Sequence, residues 1–384
     1  MASTFWNRIS AGPAIRKWIH KPTVLVVAVL WSAYMAVGAF IVAVDPYDLY
    51  PWGAHARMPS NREPFEVMNL MRLAAKDPIA DTVLIGSSPT TMYSPDDILE
   101  AFPGSKSAWN VSYHAGTAYD RHITINEFAK YSRAKHFIVT LDFFYATVLD
   151  RKRSTFPDYM YDGNPTHAFR MISAHTLKAA IKTIVSGSPF PDKAGMERQE
   201  HEFNEGERRK YHSPEQIDEF RKAIDKYRNT IAAVGKQNCG DFPMLPRLIA
   251  DVRALAAHGA TVDLFIPAYS PVAYYFWADN PDFRNLVGSA ALYDQMQMRR
   301  CVVLETADIP RTKVSSLDLD FARTSDYANF RDMTHLYDTK FLKRWLSMSR
   351  DPQNTLTAQN VDAYVATMID RVKNYTFKDS ELAR

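Results

Sequence analysis

Only two cysteines occur in this chain of 384 residues, Cys239 and Cys301. That scarcity excludes a four-cysteine zinc site and a disulfide-dense scaffold. A single bridge between them would need an oxidising compartment. Cys301, inside the run Cys301-Val302-Val303-Leu304, reads equally well as a core thiol. An excess of charge of one sign is missing too: 46 Lys and Arg face 43 Asp and Glu, a net of +3. No basic footprint is left for nucleic acid. No period of 20–50 residues recurs, which excludes a repeat array. With 46% apolar residues the chain is not a disordered segment. Its length suffices for one large domain or two modest ones.

Acidic residues are absent from one further place. None precedes Asp45, whereas Arg8, Arg16, Lys17 and Lys21 all lie before residue 23, so the remainder is close to neutral. Next comes Thr23–Val44, TVLVVAVLWSAYMAVGAFIVAV, 22 residues without a formal charge. As a helix it would be about 33 Å long, enough for a bilayer core. Trp18 on one flank and Tyr47, Tyr50 and Trp52 on the other suit the headgroup region. Positive charge before the run, with Asp45 and Asp48 after it, predicts a cytoplasmic N-terminus and an external body. A cleaved signal peptide has a shorter apolar stretch. A buried core helix has no use for a basic flank and aromatic rims. The expectation is a cytoplasmic basic segment (1–22), a single-pass transmembrane helix (23–44), and a juxtamembrane linker with a short helix around Phe65, Met68, Met71 and Leu73 (45–78).

From 79 to 350 the pattern predicts an α/β domain. Asp81–Gly86, His136–Leu141 and Thr261–Ile266 read as strands stopping at Gly86, Asp142 and Pro267, with Cys301–Leu304 as a candidate fourth. A helix from Leu245 to His258 ends at Gly259. Short apolar strands alternating with helices argue for a parallel sheet covered by helices on both faces, with chemistry at the carboxyl ends of its strands. Residues 151–243 read as a helical insertion: a helix over His167–Val185, a charge-rich loop over Pro189–Lys210, then a helix started by Ser213-Pro214-Glu215-Gln216. Its apolar positions are Ile217, Phe220, Ile224, Tyr227, Ile231 and Val234, one face of a helix. A last helix, Thr357–Tyr375, closes the chain within 351–384.

Two short motifs carry chemistry. Gly86-Ser87-Ser88-Pro89 ends the first strand, with Pro89 at a first helical position and Ser88 as its cap. A hydroxyl there is exposed at the sheet edge, over a helix N-terminus that favours developing negative charge; a plain capping serine gives the same pattern. Asp332-Met333-Thr334-His335 puts an acid and an imidazole three residues apart on one side of the backbone. Such a carboxylate orients the ring and stabilises imidazolium while the other nitrogen acts as base; a solvated turn has the same spacing. His114 and His122 lie close in sequence, but no carboxylate motif completes a metal site, so no metal or other cofactor is expected. Tyr269-Ser270 follows the third strand at the same edge, where Tyr269 could line a substrate groove or belong to a turn. Trp109 and Tyr113 fit either sugar stacking or the core.

A serine directly after the first strand and an Asp-x-x-His near the last helix together resemble the SGNH (GDSL-like) hydrolase superfamily. Its flavodoxin-like fold and its Ser-His-Asp chemistry are what the resemblance implies here. Gly-Ser-Ser in place of Gly-Asp-Ser puts Ser88 at the nucleophile and Ser87 at the usual aspartate. Trp109-Asn110-Val111-Ser112-Tyr113-His114-Ala115-Gly116 resembles the second block, with Asn110 as its asparagine and Gly116 as the oxyanion-hole glycine, one residue further along than usual. The third block departs: Leu141-Asp142-Phe143-Phe144 stands where a Gly-x-Asn would supply an oxyanion donor. Loss of one donor typically costs about 10²–10³ in rate, and Asp142 could instead anchor a loop. The phrases Val44-Asp45-Pro46-Tyr47 and Leu141-Asp142-Phe143-Phe144 are similar to those of single-pass, externally facing members acting in cell-envelope polysaccharide acylation, the teichoic-acid D-alanylation and alginate O-acetylation proteins among them.

The resemblance implies acyl transfer through a serine ester: Ser88 as nucleophile, His335 as base, Asp332 as its orienting acid, and the amides of Ser88 and Gly116 as oxyanion hole. Ser87, Asn110, Asp142 and Tyr269 are candidates for supporting or substrate-binding roles. A sugar hydroxyl as acceptor gives O-acylation, acetylation above all, of a cell-envelope or secreted polysaccharide; water as acceptor gives an esterase. The implied partners are a multipass membrane-bound O-acyltransferase, the polysaccharide and the lipid bilayer. The implied location is the inner (cytoplasmic) membrane, with the catalytic domain periplasmic or extracellular. A non-catalytic polysaccharide-binding or assembly subunit of such a complex is the alternative.

Overall fold

The computed structural model describes residues 22–46, 81–91, 93–113, 116–146, 172–187, 202, 204–231, 238–279, 291–319, 327–332, 334–335 and 351–377. The chain divides into two compact units, one of residues 1–58 with 162–190, the other of 59–161 with 191–384.

In the first unit the uncharged run is one helix, α1, Pro22–Val44. It is long and apolar enough to cross a membrane, and only 11% of its most apolar window is buried. Leu25, Val29, Leu30 and Trp31 are more than half exposed. Most of the 45–78 linker, including Tyr47, Tyr50, Trp52 and the short helix, lies outside the described residues, as does Trp18.

The second unit is built on one sheet. Among the described residues its strands are β1 (Thr82–Ile85), β2 (Ala108–Asn110), β3 (His136–Thr140), β4 (Thr261–Ile266), β5 (Thr312–Ser316) and β6 (Thr355–Leu356), in the order β2-β1-β3-β4-β5-β6. All neighbours are parallel except the antiparallel β5–β6 pair. This is an α/β fold whose first five strands follow the 2-1-3-4-5 order, with a switch point between β1 and β3. Val83, Leu84, Ile85, Val139, Val262 and Leu264 are fully buried, as continuous apolar strands covered on both faces must be.

Helices α2 (Pro95–Ala101) and α3 (Ala118–Tyr131) carry the first crossovers, each opened by a reciprocal cap, Ser94 with Asp97 and Thr117 with Asp120. Helix α4 (Ala174–Ser186) belongs to the first unit. In the second unit follow α5 (Pro214–Tyr227), α6 (Leu245–Ala257), α7 (Pro271–Asp279), α8 (Ala291–Thr306) and α9 (Val361–Lys373). Helix α6 packs on α3 and α8, and α5 packs on α7. Gly259, at φ +82°, turns the chain after α6. The segment 351–377 adds β6 and α9 to this unit, where Arg299 of α8, fully buried, pairs with Asp318 and donates to the Tyr364 hydroxyl of α9 at 2.6 Å.

Several expectations need correction. Cys301–Leu304 is not a strand but part of α8; a four-residue apolar run suits a buried helix as well as a strand. The fifth strand is the largely polar Thr312–Ser316 instead. Residues 204–211 are helical rather than loop, since Glu, Arg and Lys are good helix formers without any apolar period. The helix expected from His167 is described from Ala174, and α5 ends at Tyr227, with Ile231 buried in the turn beyond it; Val234 lies outside the described residues.

Cys239 and Cys301 form a disulfide with a Cα–Cα distance of 5.5 Å. It ties a short turn before α6 to the buried side of α8. The bridged positions are 62 residues apart, a closure that in the chain-entropy account stabilises by up to about 4 kcal/mol. Cys239→Ala is therefore expected to unfold at lower denaturant than the oxidised wild type, with reductant bringing the wild type to the same midpoint. Coinciding midpoints for the variant and the oxidised wild type would contradict this.

Candidate active site

The turn after β1 is built by close approach. A Cβ on Gly86 would lie 2.1 Å from Thr90 Oγ1, 2.7 Å from Thr140 Oγ1 and 2.9 Å from Ser112 Oγ, so only glycine lets the ends of three strands converge. Ser88–Thr90 forms a single 3-10 turn with Ser87 at its cap. This corrects the expected order: Ser87, not Ser88, is the cap, and its hydroxyl makes no capping bond. One 3-10 turn also provides little of the dipole that a long helix would.

Asn110, at the end of β2, straps this turn in place. Its Nδ2 donates to the carbonyls of Thr90 and Tyr93, both at 2.8 Å, and its Oδ1 accepts from the Ser112 amide at 2.9 Å. Thr90 Oγ1 donates to Ser112 Oγ at 2.9 Å. Held in this way, Ser88 is half-buried, and its hydroxyl makes no hydrogen bond with any described residue.

Ser87 faces the other way, into the interior. Its hydroxyl donates to Asp142 Oδ2. Asp142, just past β3, takes both guanidinium arms of Arg121 on α3, Nη2 to Oδ1 at 2.7 Å and Nη1 to Oδ2. Arg121 and Asp142 are 0% and 1% exposed, and the guanidinium lies 4.5 Å from the centre of the Tyr145 ring. Burial disfavours the charge on Arg121, but Asp142 together with Tyr145 and Tyr113 more than offsets that and raises its pKa. The switch point between β1 and β3 thus holds a bidentate ion pair to which Ser87 is tied. Tyr269 is 2% exposed, with its hydroxyl accepting from the Phe143 amide at 3.3 Å. Gly116 is buried against Tyr113, whose ring would meet a Cβ there at 2.9 Å. His114 lies outside the described residues. His122 Nδ1 is engaged by Asp251 at 2.8 Å, and no group of three or more candidate metal ligands exists among the described residues.

The second motif forms its own compact unit. Asp332 Oδ1 accepts from the Thr334 amide at 2.7 Å and the His335 amide at 3.0 Å, and its Oδ2 receives His335 Nδ1 at 2.7 Å. The three-residue spacing lets one carboxylate hold both the backbone and the ring. Burial would raise the Asp332 pKa, but His335, Arg331 and the Thr334 amide hold it well below the usual carboxylate range. With Nδ1 committed, His335 Nε2 is buried without a hydrogen-bond partner among the described residues. A buried ring nitrogen of this kind calls for a partner.

Residues that the sequence reading passed over hold this loop. Arg331 donates from its backbone to the His335 carbonyl at 2.7 Å and from its guanidinium to Asp332 and Asn204. His212 Nε2 donates to the Phe330 carbonyl at 2.8 Å, and its ring stacks on Tyr327 at 4.5 Å. Tyr327 in turn donates to the Tyr211 carbonyl at 3.1 Å. Burial lowers the His212 pKa despite its bond to Phe330. The structure therefore joins Ser87 with Asp142, braces the Ser88 turn with Asn110, and joins Asp332 with His335. It forms no hydrogen bond between Ser88 and His335. No family model and no curated protein matches this sequence.

Two outcomes follow from the buried charges. Arg121→Met strands the Asp142 carboxylate and is expected to cost about 3–5 kcal/mol in chemical denaturation, most of it recovered in Arg121→Met/Asp142→Asn. A double variant no more stable than the single one would show that the pair is not the source. For Asp332 the folded pKa lies below the unfolded value of about 3.9. Its ionised form therefore stabilises fully above that value, and the contribution is lost as pH falls toward the folded pKa. The stability gap between wild type and Asp332→Asn should be present at pH 7 and shrink below about pH 4; a gap that is constant down to strong acid would contradict it.

Proposed function

We propose that this chain is a membrane-anchored, extracytoplasmic serine acyltransferase of the SGNH type. In this reading it O-acylates a cell-envelope or secreted polysaccharide, with acetyl as the acyl group, together with a multipass membrane-bound O-acyltransferase. The observation that carries it is the Asp332–His335 dyad: the imidazole is fixed through Nδ1, and its buried Nε2 is free to take a proton.

In the proposed reaction His335 Nε2 accepts the Ser88 hydroxyl proton as Oγ attacks the acyl carbonyl. The oxyanion is met by the Ser88 and Gly116 amides. Collapse breaks the bond to the donor, which leaves with the proton from His335. A sugar hydroxyl then attacks the serine ester, giving its proton to His335, and collapse returns that proton to Ser88. Asp332, ionised across the neutral range, stabilises the imidazolium at each stage. Asp142 lies in the segment that lacks the resembled family's asparagine, and its engagement by Arg121 and Ser87 supports a role in positioning the Ser88 turn rather than in donating to the oxyanion.

The disulfide supports an oxidising compartment outside the cytoplasm, and the apolar α1 behind a basic segment supports an N-terminus-inside anchor. A second reading, a polysaccharide-binding assembly subunit, is favoured by one observation: Ser88 and His335 are not hydrogen-bonded. Membranes treated with a fluorophosphonate probe separate the two readings. The acyltransferase reading predicts labelling of the full-length chain that is lost in Ser88→Ala and strongly reduced in His335→Gln. No labelling of the wild type, or labelling that persists in Ser88→Ala, would leave the assembly role.

A further inference from the structure

Helix α4 has its faces inverted for a helix in water. It is capped by Ser173, whose hydroxyl accepts from the Thr176 amide at 3.1 Å, and it stops at Gly187 with φ +74°. Its buried residues are Thr176, Ala180 and Thr183, all small. Its bulky ones point outward: Ile181, Ile184 and Val185 are 51%, 62% and 80% exposed, and Leu177, on the same side, is half-buried. Lys178 and Lys182, one turn apart, border that face and are exposed. Soluble helices bury the large aliphatic residues and leave small and polar ones outside. Helices packed in lipid do the reverse, meeting through small residues and turning bulky ones to the acyl chains.

Within the first unit α4 has α1 as a neighbour. The two helices pack directly, and the residues buried on α1 are Gly38 and Ile41. A Cβ on Gly38 would come within 2.5 Å of Ile172 Cδ1, just before α4, so the glycine is what lets the two segments touch. Gly38 lies inside the apolar helix, about 9 Å along its axis from the Val44 end. That depth is within the roughly 5–10 Å to which interfacial helices sink their apolar faces. The exposed aliphatic face of α4 thus belongs to a helix packed against one that is itself long and apolar enough to span a bilayer and largely exposed.

We propose that α4 is a second membrane-contacting element. Its Leu177, Ile181, Ile184 and Val185 face lies among the acyl chains of the bilayer that α1 enters, and Lys178 and Lys182 meet lipid phosphates. The inference rests on reading α1 as a span and goes beyond it, because it makes the chain bind the membrane at two places far apart in sequence. The lysine stems can lie along apolar surface while their ammonium groups reach the headgroups.

The experiment uses the full-length chain in vesicles of phosphatidylethanolamine and phosphatidylglycerol. No described cysteine is free, so an introduced thiol takes a solvent-sensitive fluorophore selectively. Three variants are compared: Ile184→Cys on α4, Met35→Cys on α1, and Glu215→Cys on the exposed side of α5 as a water-facing reference. The expected result is blue-shifted Ile184→Cys emission that nitroxide-bearing acyl chains quench and iodide does not, as for Met35→Cys and unlike Glu215→Cys. If Met35→Cys is lipid-quenched while Ile184→Cys is quenched by iodide, the proposal falls and the span stands. If Ile184→Cys is shielded from both quenchers, protein covers the face and the proposal falls again. If neither site is lipid-quenched, the span reading fails and this inference fails with it.

Discussion

Asp142 carries a carboxylate into the interior at the carboxyl end of β3, and much of the surrounding arrangement answers to that charge. A buried carboxylate without a counter-ion is too costly to keep, so α3 delivers Arg121 with both arms of its guanidinium. Ser87 donates to the remaining acceptor capacity, fixing the backbone of the turn that presents Ser88. The same turn is held from its other side by Asn110. Gly86 permits the approach because nothing larger fits between the ends of β1, β2 and β3. The position of one candidate nucleophile thus depends on an ion pair located one residue behind it.

The acid–base half is organised on a different principle. Asp332 and His335 need only a local loop to meet, but that loop is short of regular structure and is held from outside. Asn204, Tyr211 and His212, from the helical stretch 204–211 and its end, bond to Arg331, Tyr327 and Phe330. The segment between β3 and α6 is therefore more than a spacer: one part of it packs on α1 and another clamps the dyad. In the proposed reaction this gives a fixed base and a fixed nucleophile turn, with the hydrogen bond between them left to form when substrate enters. Such catalytic contacts are often long or unformed in the free enzyme.

What the sequence disclosed, and what it hid, follows from the range over which each feature is determined. α1 was legible because an uncharged run of that length has few other uses, and β1, β3 and β4 because their apolar runs stop at Gly86, Asp142 and Pro267. The Asp332–His335 pairing was legible because three residues of spacing suffice. β2 is three residues, Ala-Trp-Asn, too short for any period to show. β5, Thr-Lys-Val-Ser-Ser, owes its burial to its neighbours rather than to its own composition. Arg121 was invisible because an arginine in a polar helix reads as surface until its partner 21 residues away is known. His212 escaped notice for the same reason: its partner, Phe330, is a backbone carbonyl 118 residues on.

The proposed chemistry requires that the acyl group reside, for part of each cycle, on one oxygen atom. Full-length protein in native membranes, supplied with an isotopically labelled acyl donor and quenched in acid, can be digested and its peptides mapped for the label. The account predicts a hydroxylamine-sensitive ester on Ser88 that builds up when acceptor sugar is withheld and disappears when it is supplied. Acylation of the polysaccharide without any ester ever appearing on Ser88 would contradict it.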